Sequence, residues 1–375
     1  MFAKPKKIGK LEIKNRFVRS ATYEGLAAED GEITDKLVDF YKTLSEGGTG
    51  LIITSYSFVQ QSGKANNKQI GVNKDDFIPG LQRLADIVHK NGDGCKVVLQ
   101  LVHVGRQSHV VKETIAPSAV LERFTNKMPR EMTTEEIKET IESFAQAARR
   151  AKEAGFDGVQ LHGAHGYLIS AFLSPYTNRR TDQYGGNTEK RLMFVEQIYK
   201  RSRELVGVDF PILIKMNCDD FLEGGITLEE SKKITKMLSN IGFDAIEISS
   251  CMWETVKRKK SEIGWKPKFI PESRMAVGSV NEPAYHLSYA NEIKKDIDIP
   301  LILVGGVNSI DLAEGILNKG DADFIAFSRP LIREPGLPNR WIKGIGSSSV
   351  ECDYCNSCLM TLAKTGLSCP KKEES

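Results

Sequence analysis

The segment Leu161-His162-Gly163-Ala164-His165-Gly166-Tyr167-Leu168 carries two histidines at i and i+3 and a tyrosine two residues later. Imidazoles that donate N–H to a carbonyl oxygen, beside a phenol able to deliver a proton, suit an enzyme that polarises a carbonyl and protonates its neighbourhood. Read as structure alone, each is a buried residue with its hydrogen bonds satisfied; three together past an apolar run favour chemistry. Zinc is the other option for the histidines, but it needs a third ligand that the sequence does not visibly supply. Later in the chain, Leu301–Val304 runs into Gly305-Gly306-Val307, and Phe324–Ala326 runs through Phe327 into Ser328-Arg329-Pro330. Glycine amides, a helix N-terminus and an arginine suit a phosphate, although Gly-Gly alone is equally a tight turn. Near the end, Cys352-x2-Cys355-x2-Cys358-x10-Cys369 has the close spacing of thiolates converging on an iron–sulfur cluster or zinc, with reduced, unliganded thiols as the plain alternative.

These groups need a scaffold, and short apolar runs alternating with amphipathic segments describe one. Strands are expected at Phe17–Ser20, Leu51–Thr54, Val97–Leu101, Gly158–Leu161, Ile212–Lys215, Ala245–Ile248, Leu301–Val304 and Phe324–Ala326. Helices are expected at Ile33–Glu46, Phe77–Asn91, Thr134–Ala154, Thr188–Val206, Leu228–Asn240 and Pro283–Ile297, with capping boxes at Thr133/Glu136 and Thr227/Glu230. Eight strands alternating with helices predict an α/β fold, a (β/α)8 TIM barrel over residues 1–345, with residues 346–375 as a cysteine-rich extension packed on it. A doubly wound sheet would need a glycine-rich turn after an early strand, and the first strand runs instead into Ala21-Thr22-Tyr23-Glu24. Two long connections, 102–133 and 249–282, would emerge at the C-terminal face and cover substrate; Lys257-Arg258-Lys259-Lys260 in the second reads as a solvated loop.

Composition narrows the classes further. Over 375 residues, 40% hydrophobic and 27% charged residues exclude a disordered or fibrous chain, and a net charge of +3 is not the footprint of a nucleic-acid binder. No run approaches the roughly 20 apolar residues of a membrane span, and the first ten residues lack a signal-peptide core, so a cytoplasmic protein is expected.

The spaced elements Gly9-x-Leu11-x-Ile13-Lys14-Asn15-Arg16-Phe17, Gln100-Leu101-x-His103-x-Gly105-Arg106, Ala116-Pro117-Ser118, the histidine–tyrosine segment, and Phe172-Leu173-Ser174-Pro175-x-x-Asn178-x-Arg180-Thr181-Asp182-x-Tyr184-Gly185-Gly186 resemble the Old Yellow Enzyme family of FMN-dependent oxidoreductases. The resemblance extends in order from about residue 2 to 335. It implies an FMN barrel in which NAD(P)H reduces the flavin and the flavin reduces the C=C bond of an α,β-unsaturated carbonyl compound. By position, Ala21, Thr22 and Tyr23 would lie against the flavin, Tyr56 would act chiefly through its backbone, and Gln100 would meet the pyrimidine edge. Lys215 would stabilise the anionic reduced ring, which explains a lysine in an apolar strand. Gly305, Gly306, Ser328 and Arg329 would cradle the phosphate, His162 and His165 would hold the substrate carbonyl, and Tyr167 would protonate the α-carbon. Where Tyr23 stands the family often has Cys, Met or His, so redox potential and substrate preference do not transfer. The cysteines resemble the [4Fe-4S] segment of the larger members, with an external electron donor implied if a cluster is held; the last spacing is short of theirs. The resemblance also implies a homo-oligomer, since family members are frequently dimers or tetramers. Two other readings stay open from the residues: a non-redox phosphate-binding barrel, and a flavin or iron–sulfur electron-transfer subunit.

Overall fold

A computed structural model describes residues 1–268, 270–279 and 282–371. Eight parallel strands form a closed barrel: β1 (Phe17–Arg19), β2 (Leu51–Phe58), β3 (Lys96–Val102), β4 (Gly158–Gly163), β5 (Ile212–Asn217), β6 (Ala245–Ser249), β7 (Leu301–Val304) and β8 (Phe324–Phe327), with β8 pairing back onto β1. All eight expected strands are present, and β2 and β3 run further, to Phe58 and Val102. Strands covered on both faces lose their alternation and read as apolar runs, which is why the sequence exposed them.

The outer layer includes α1 (Asp35–Glu46), α2 (Ile78–Asn91), α3 (Thr134–Glu153), α4 (Thr188–Val206), α5 (Leu228–Ile241), α6 (Leu287–Lys294) and α7 (Ile310–Lys319). On α3, Ile137, Ile141, Phe144, Ala148 and Ala151 recur at helical spacing and are buried, while Thr133 and Glu136 complete the reciprocal cap. Thr227 caps α5 by accepting from the Glu230 N–H, but the reciprocal half of that box does not form. The Glu230 carboxylate is drawn instead to Arg191 and to the Thr188 hydroxyl, because a charged partner outweighs a backbone N–H. The helix expected over Pro283–Ile297 is shorter, since residues 284–286 turn to pair with Gly305, Gly306 and Val304. Asn281, inside one of the long connections, lies outside the described residues.

An antiparallel hairpin, Lys6–Ile8 with Leu11–Ile13, closes the N-terminal end of the barrel. Its Ile8 and Ile13 pack with Val18, Leu51, Ile53, Val98, Leu213, Ile302 and Phe324 into an apolar plug. Above that plug the interior turns polar: Ser20, Gln100, Gln160, Lys215 and Glu247 are all at most 4% exposed.

The long loops after β3 and β6 are joined by Arg106 and Glu254, an ion pair with side chains 0% and 2% exposed. Arg106 also donates to the Val120 and Leu121 carbonyls. A guanidinium cannot shed its charge, whereas a buried carboxyl can take up a proton. Glu254→Gln should therefore cost about 3–5 kcal/mol of unfolding free energy at every pH from 5 to 8. Arg106→Met should cost less at pH 5 than at pH 8, because burial raises the Glu254 pKa and the stranded carboxyl is neutral only at the acid end. Urea denaturation across this range measures both; equal, pH-independent losses would contradict the assignment.

Candidate active site

The polar layer is the floor of a cavity of about 790 Å³ at the C-terminal end of the barrel. Lys215 Nζ donates to Glu247 Oε1 at 3.1 Å and to Ser20 Oγ at 3.0 Å, and Ser20 donates to the same carboxylate oxygen at 2.6 Å. The other Glu247 oxygen accepts from Gln160 Nε2 at 2.8 Å, and Gln160 Oε1 accepts from Gln100 Nε2 at 2.7 Å. This relay engages both the amide nitrogen and the amide oxygen of Gln160 and fixes the Gln100 amide. Gln100 Oε1 is then left buried without a partner, an acceptor in the cavity wall that awaits an N–H from a ligand. Sequence reasoning singled out Gln100 and Lys215 and missed Gln160 and Glu247. The signal was a Gln and a Glu inside fully buried strands, where an unpaired polar group costs too much to persist.

His162, His165 and Tyr167 line the cavity together. Ring centroids lie 5.1 Å apart for the two histidines and 4.8 Å apart for His162 and Tyr167. The Ala164 N–H donates to His162 Nδ1 at 3.3 Å, which assigns the proton to Nε2. Burial, reinforced by the Lys215 charge, holds the His162 pKa well below 6.5, so this imidazole is a neutral donor. His165 sits at φ +63, anchored by its N–H to Asn217 Oδ1 at 3.1 Å, and its Nε2 shares a 2.7 Å hydrogen bond with Ser249 Oγ. Burial and the neighbouring His162 lower its pKa as well. Tyr167 caps the short helix Leu168–Leu173, and burial followed by nearby Glu272 raises its phenol pKa, so it keeps its proton.

Ala21, Thr22 and Tyr23 line the wall beyond β1, and the Thr22 and Ser328 hydroxyls are 2.7 Å apart. The Tyr56 carbonyl is engaged by Gln69 Nε2 at 3.2 Å, and Tyr56 lines the cavity with its ring stacked on Tyr23, centroids 5.6 Å apart. A register shift between Ile53 and Tyr56 in the β2–β3 pairing re-aims this residue. Over the mouth, Trp253 from the β6 loop meets His109 and Phe124 from the β3 loop with centroids 5.4 and 5.2 Å apart.

At the opposite end stand Gly305, Gly306, Ser328 and Arg329. The glycines adopt φ +125 and +78, and a Cβ on either would fall within 2.8 Å of the Tyr285 ring. That turn is therefore needed for close packing as well as for an open backbone. The residues present fit an FMN: an unpartnered amide acceptor and a buried cation at the barrel axis, an aromatic wall, and glycine turns with an arginine at the far end.

The four cysteines lie near one another, with Cys358 within electrostatic reach of Cys352, Cys355 and Cys369. Among the described residues no group of three or more His, Cys, Asp or Glu side chains is placed to hold a metal ion. Cys369 Sγ accepts from Arg333, Cys355 Sγ lies 3.1 Å from Ser357 Oγ, and burial pushes the Cys352 thiol up to about 11.

A closed (β/α)8 barrel with this cavity defines a cofactor-binding α/β enzyme. The model of the NADH:flavin oxidoreductase / NADH oxidase family matches residues 1–347, and the chain belongs to that family. It is 39% identical over 355 residues to an NADH oxidase of Thermoanaerobacter brockii, covering 93% of this chain and 52% of that protein, so the chain spans about half of that relative. It is 35% identical over 349 residues to an NADPH dehydrogenase of a Geobacillus species, covering 93% of this chain and 95% of the relative. The solved 2-naphthoyl-CoA reductase–2-naphthoyl-CoA complex superposes with a TM-score of 0.89 at 29% identity, covering all of this chain and 57% of that one. Among the described residues no helix is long and apolar enough to cross a membrane.

One cavity group titrates near neutrality. Glu272, whose Oε2 is buried without a hydrogen bond, has its carboxyl pushed up to about 7 by burial, against the opposing charges of Lys215 and Arg329. Below pH 7 it is neutral; above, its charge repels an anionic ligand. The affinity for a phenol already ionised at pH 6 should therefore fall by roughly threefold to tenfold between pH 6 and 8, the scale of a like-charge repulsion of about 1 kcal/mol. Titration calorimetry should show Glu272→Gln flat over this range; an undiminished pH dependence in that variant would refute the assignment.

Proposed function

We propose that this chain is an FMN-dependent NAD(P)H oxidoreductase that reduces the C=C bond of an α,β-unsaturated carbonyl compound. The observation that carries the proposal is the convergence of the neutral His162 Nε2–H and the Tyr167 phenol on a cavity floored by Lys215 and Gln100. FMN, when bound, supplies hydride transfer from nicotinamide to the substrate β-carbon. The protein's part is orientation and proton delivery. His162 donates to the carbonyl oxygen from Nε2, with His165 beside it and held in place by Ser249 and Asn217. A neutral donor polarises the carbonyl without giving up its proton. Tyr167, kept protonated by burial, delivers a proton to the α-carbon. Lys215 would hold the flavin ring and, by its charge, favour the negative charge that the ring carries when reduced. Gln100 would accept from the ring's N–H through its unpartnered Oε1.

The mouth bears on the substrate. Trp253, His109 and Phe124 offer flat faces, which suit a carbonyl conjugated to an aromatic or extended planar system. The similarity to the solved 2-naphthoyl-CoA reductase–2-naphthoyl-CoA complex supports the same choice. The non-redox phosphate-binding barrel would use the Gly305/Arg329 end equally well. It gives no reason for the buried lysine or the unpartnered amide on the axis. The cysteines as placed form no metal ligand set, and no step is assigned to a cluster.

Tyr167→Phe should slow reduction of a cinnamoyl-type alkene by roughly 10²-fold or more while flavin reduction by NAD(P)H stays within about threefold. Stopped-flow absorbance resolves the two half-reactions; equal slowing of both would contradict the role of Tyr167. Flavin reduction with no turnover of any conjugated enone, enoate or thioester would contradict the reading as a whole.

A further inference from the structure

The C-terminal segment 350–371 is a strap across the phosphate end of the cavity. The Tyr354 hydroxyl donates to the Val307 carbonyl at 2.9 Å, Asn356 Nδ2 donates to the Ser273 carbonyl at 2.9 Å, and the Leu367 N–H donates to the Glu24 carbonyl at 2.8 Å. These contacts tie the strap to the loops after β7, β6 and β1. Tyr354, Leu359 and Leu362 line the cavity themselves.

The strap also holds Arg329. Asn356 Oδ1 accepts from Arg329 Nη1 at 2.7 Å, the Tyr354 carbonyl accepts from the same nitrogen at 3.4 Å, and the Arg274 carbonyl at 2.8 Å. The guanidinium lies 4.7 Å from the Tyr354 ring centroid. All three bonds use Nη1, so the fork is pinned at one prong and Nε and Nη2 are not used by these contacts. Tyr354 and Asn356 adopt φ +56 and +62, and Asn356 is 3% exposed. A buried residue at positive φ with both amide ends bonded is a conformation that its surroundings fix, and its fixed end is the arginine.

We infer that Asn356 is a positioning residue for the flavin phosphate: through Arg329 Nη1 it aims the guanidinium at the ligand, which makes the cysteine-bearing strap part of the cofactor site. This rests on the flavin reading above and adds a residue that touches no reacting atom. The inference predicts a distinction by ligand. Riboflavin has the same ring and no phosphate, so a residue acting through Arg329 affects FMN alone, whereas a residue that merely supports the fold affects both.

The experiment compares FMN and riboflavin affinities, by flavin fluorescence quenching, for the full chain stripped of flavin. The variant is Asn356→Gly, which removes the amide and keeps the positive φ accessible. FMN affinity should fall about tenfold or more, the scale of a lost hydrogen bond to a charged group, with riboflavin affinity unchanged. Equal loss for both flavins, or no loss for either, overturns the inference. Should the variant fail to fold, the wild-type chain answers by linkage, because phosphate binding must order the strap as much as the strap orders Arg329. FMN should then slow iodoacetamide modification of Cys355, next to Asn356, severalfold more than riboflavin does, read by mass spectrometry. Equal protection by the two flavins overturns the inference alone; a wild-type chain that binds neither overturns it together with the flavin reading.

Discussion

A lysine ammonium inside a closed barrel is the constraint on which the site is built. Lys215 sits on a strand whose six residues are all buried, and Glu247 and Ser20 meet its ammonium there, offsetting the cost of burying it. Glu247 in turn spends its second oxygen on Gln160, which orients Gln100 and leaves one amide oxygen facing the cavity. The same cation adds to the burial that keeps His162 and His165 neutral. One charge pair thus sets the polarity of the floor, the orientation of an amide and the protonation of the imidazoles. The apolar plug beneath, sealed by the N-terminal hairpin, keeps water from the underside of the pair.

The loops above the floor are held by backbone-directed contacts rather than by packing alone. Arg180 donates to the carbonyls of Pro117 and Met132, and Asn178 Nδ2 donates to those of Phe172 and Tyr184. Two of the spaced motifs that carry the family resemblance, Ala116-Pro117-Ser118 and Phe172–Gly186, therefore brace each other and the β3 loop. Asn15 does similar work at the barrel's lower rim, donating to the Gly48 carbonyl and accepting from the Phe17 N–H. A spaced motif records what the fold requires as well as what the chemistry requires.

The barrel was legible because fully buried strands read as apolar runs and because caps such as Thr133/Glu136 mark helix starts. The residues expected to meet flavin and substrate all line the same cavity, whereas the spacing of the cysteines shows proximity but, among the described residues, no metal-ligand group. Illegible were the contacts made across the barrel or between loops. Glu247 pairs with Lys215, Arg106 with Glu254, and Asn356 with Arg329, over sequence separations that no local pattern encodes. The shift in strand register between Ile53 and Tyr56 was likewise hidden, since it depends on pairing with β3.

The most direct test of the central claim is the absorption spectrum of the anaerobically purified protein, before and after NADH, with acid-released flavin quantified from the same sample. The account predicts oxidised-flavin bands that bleach on reduction and one FMN per chain. A colourless protein that cannot be reconstituted with FMN would contradict it.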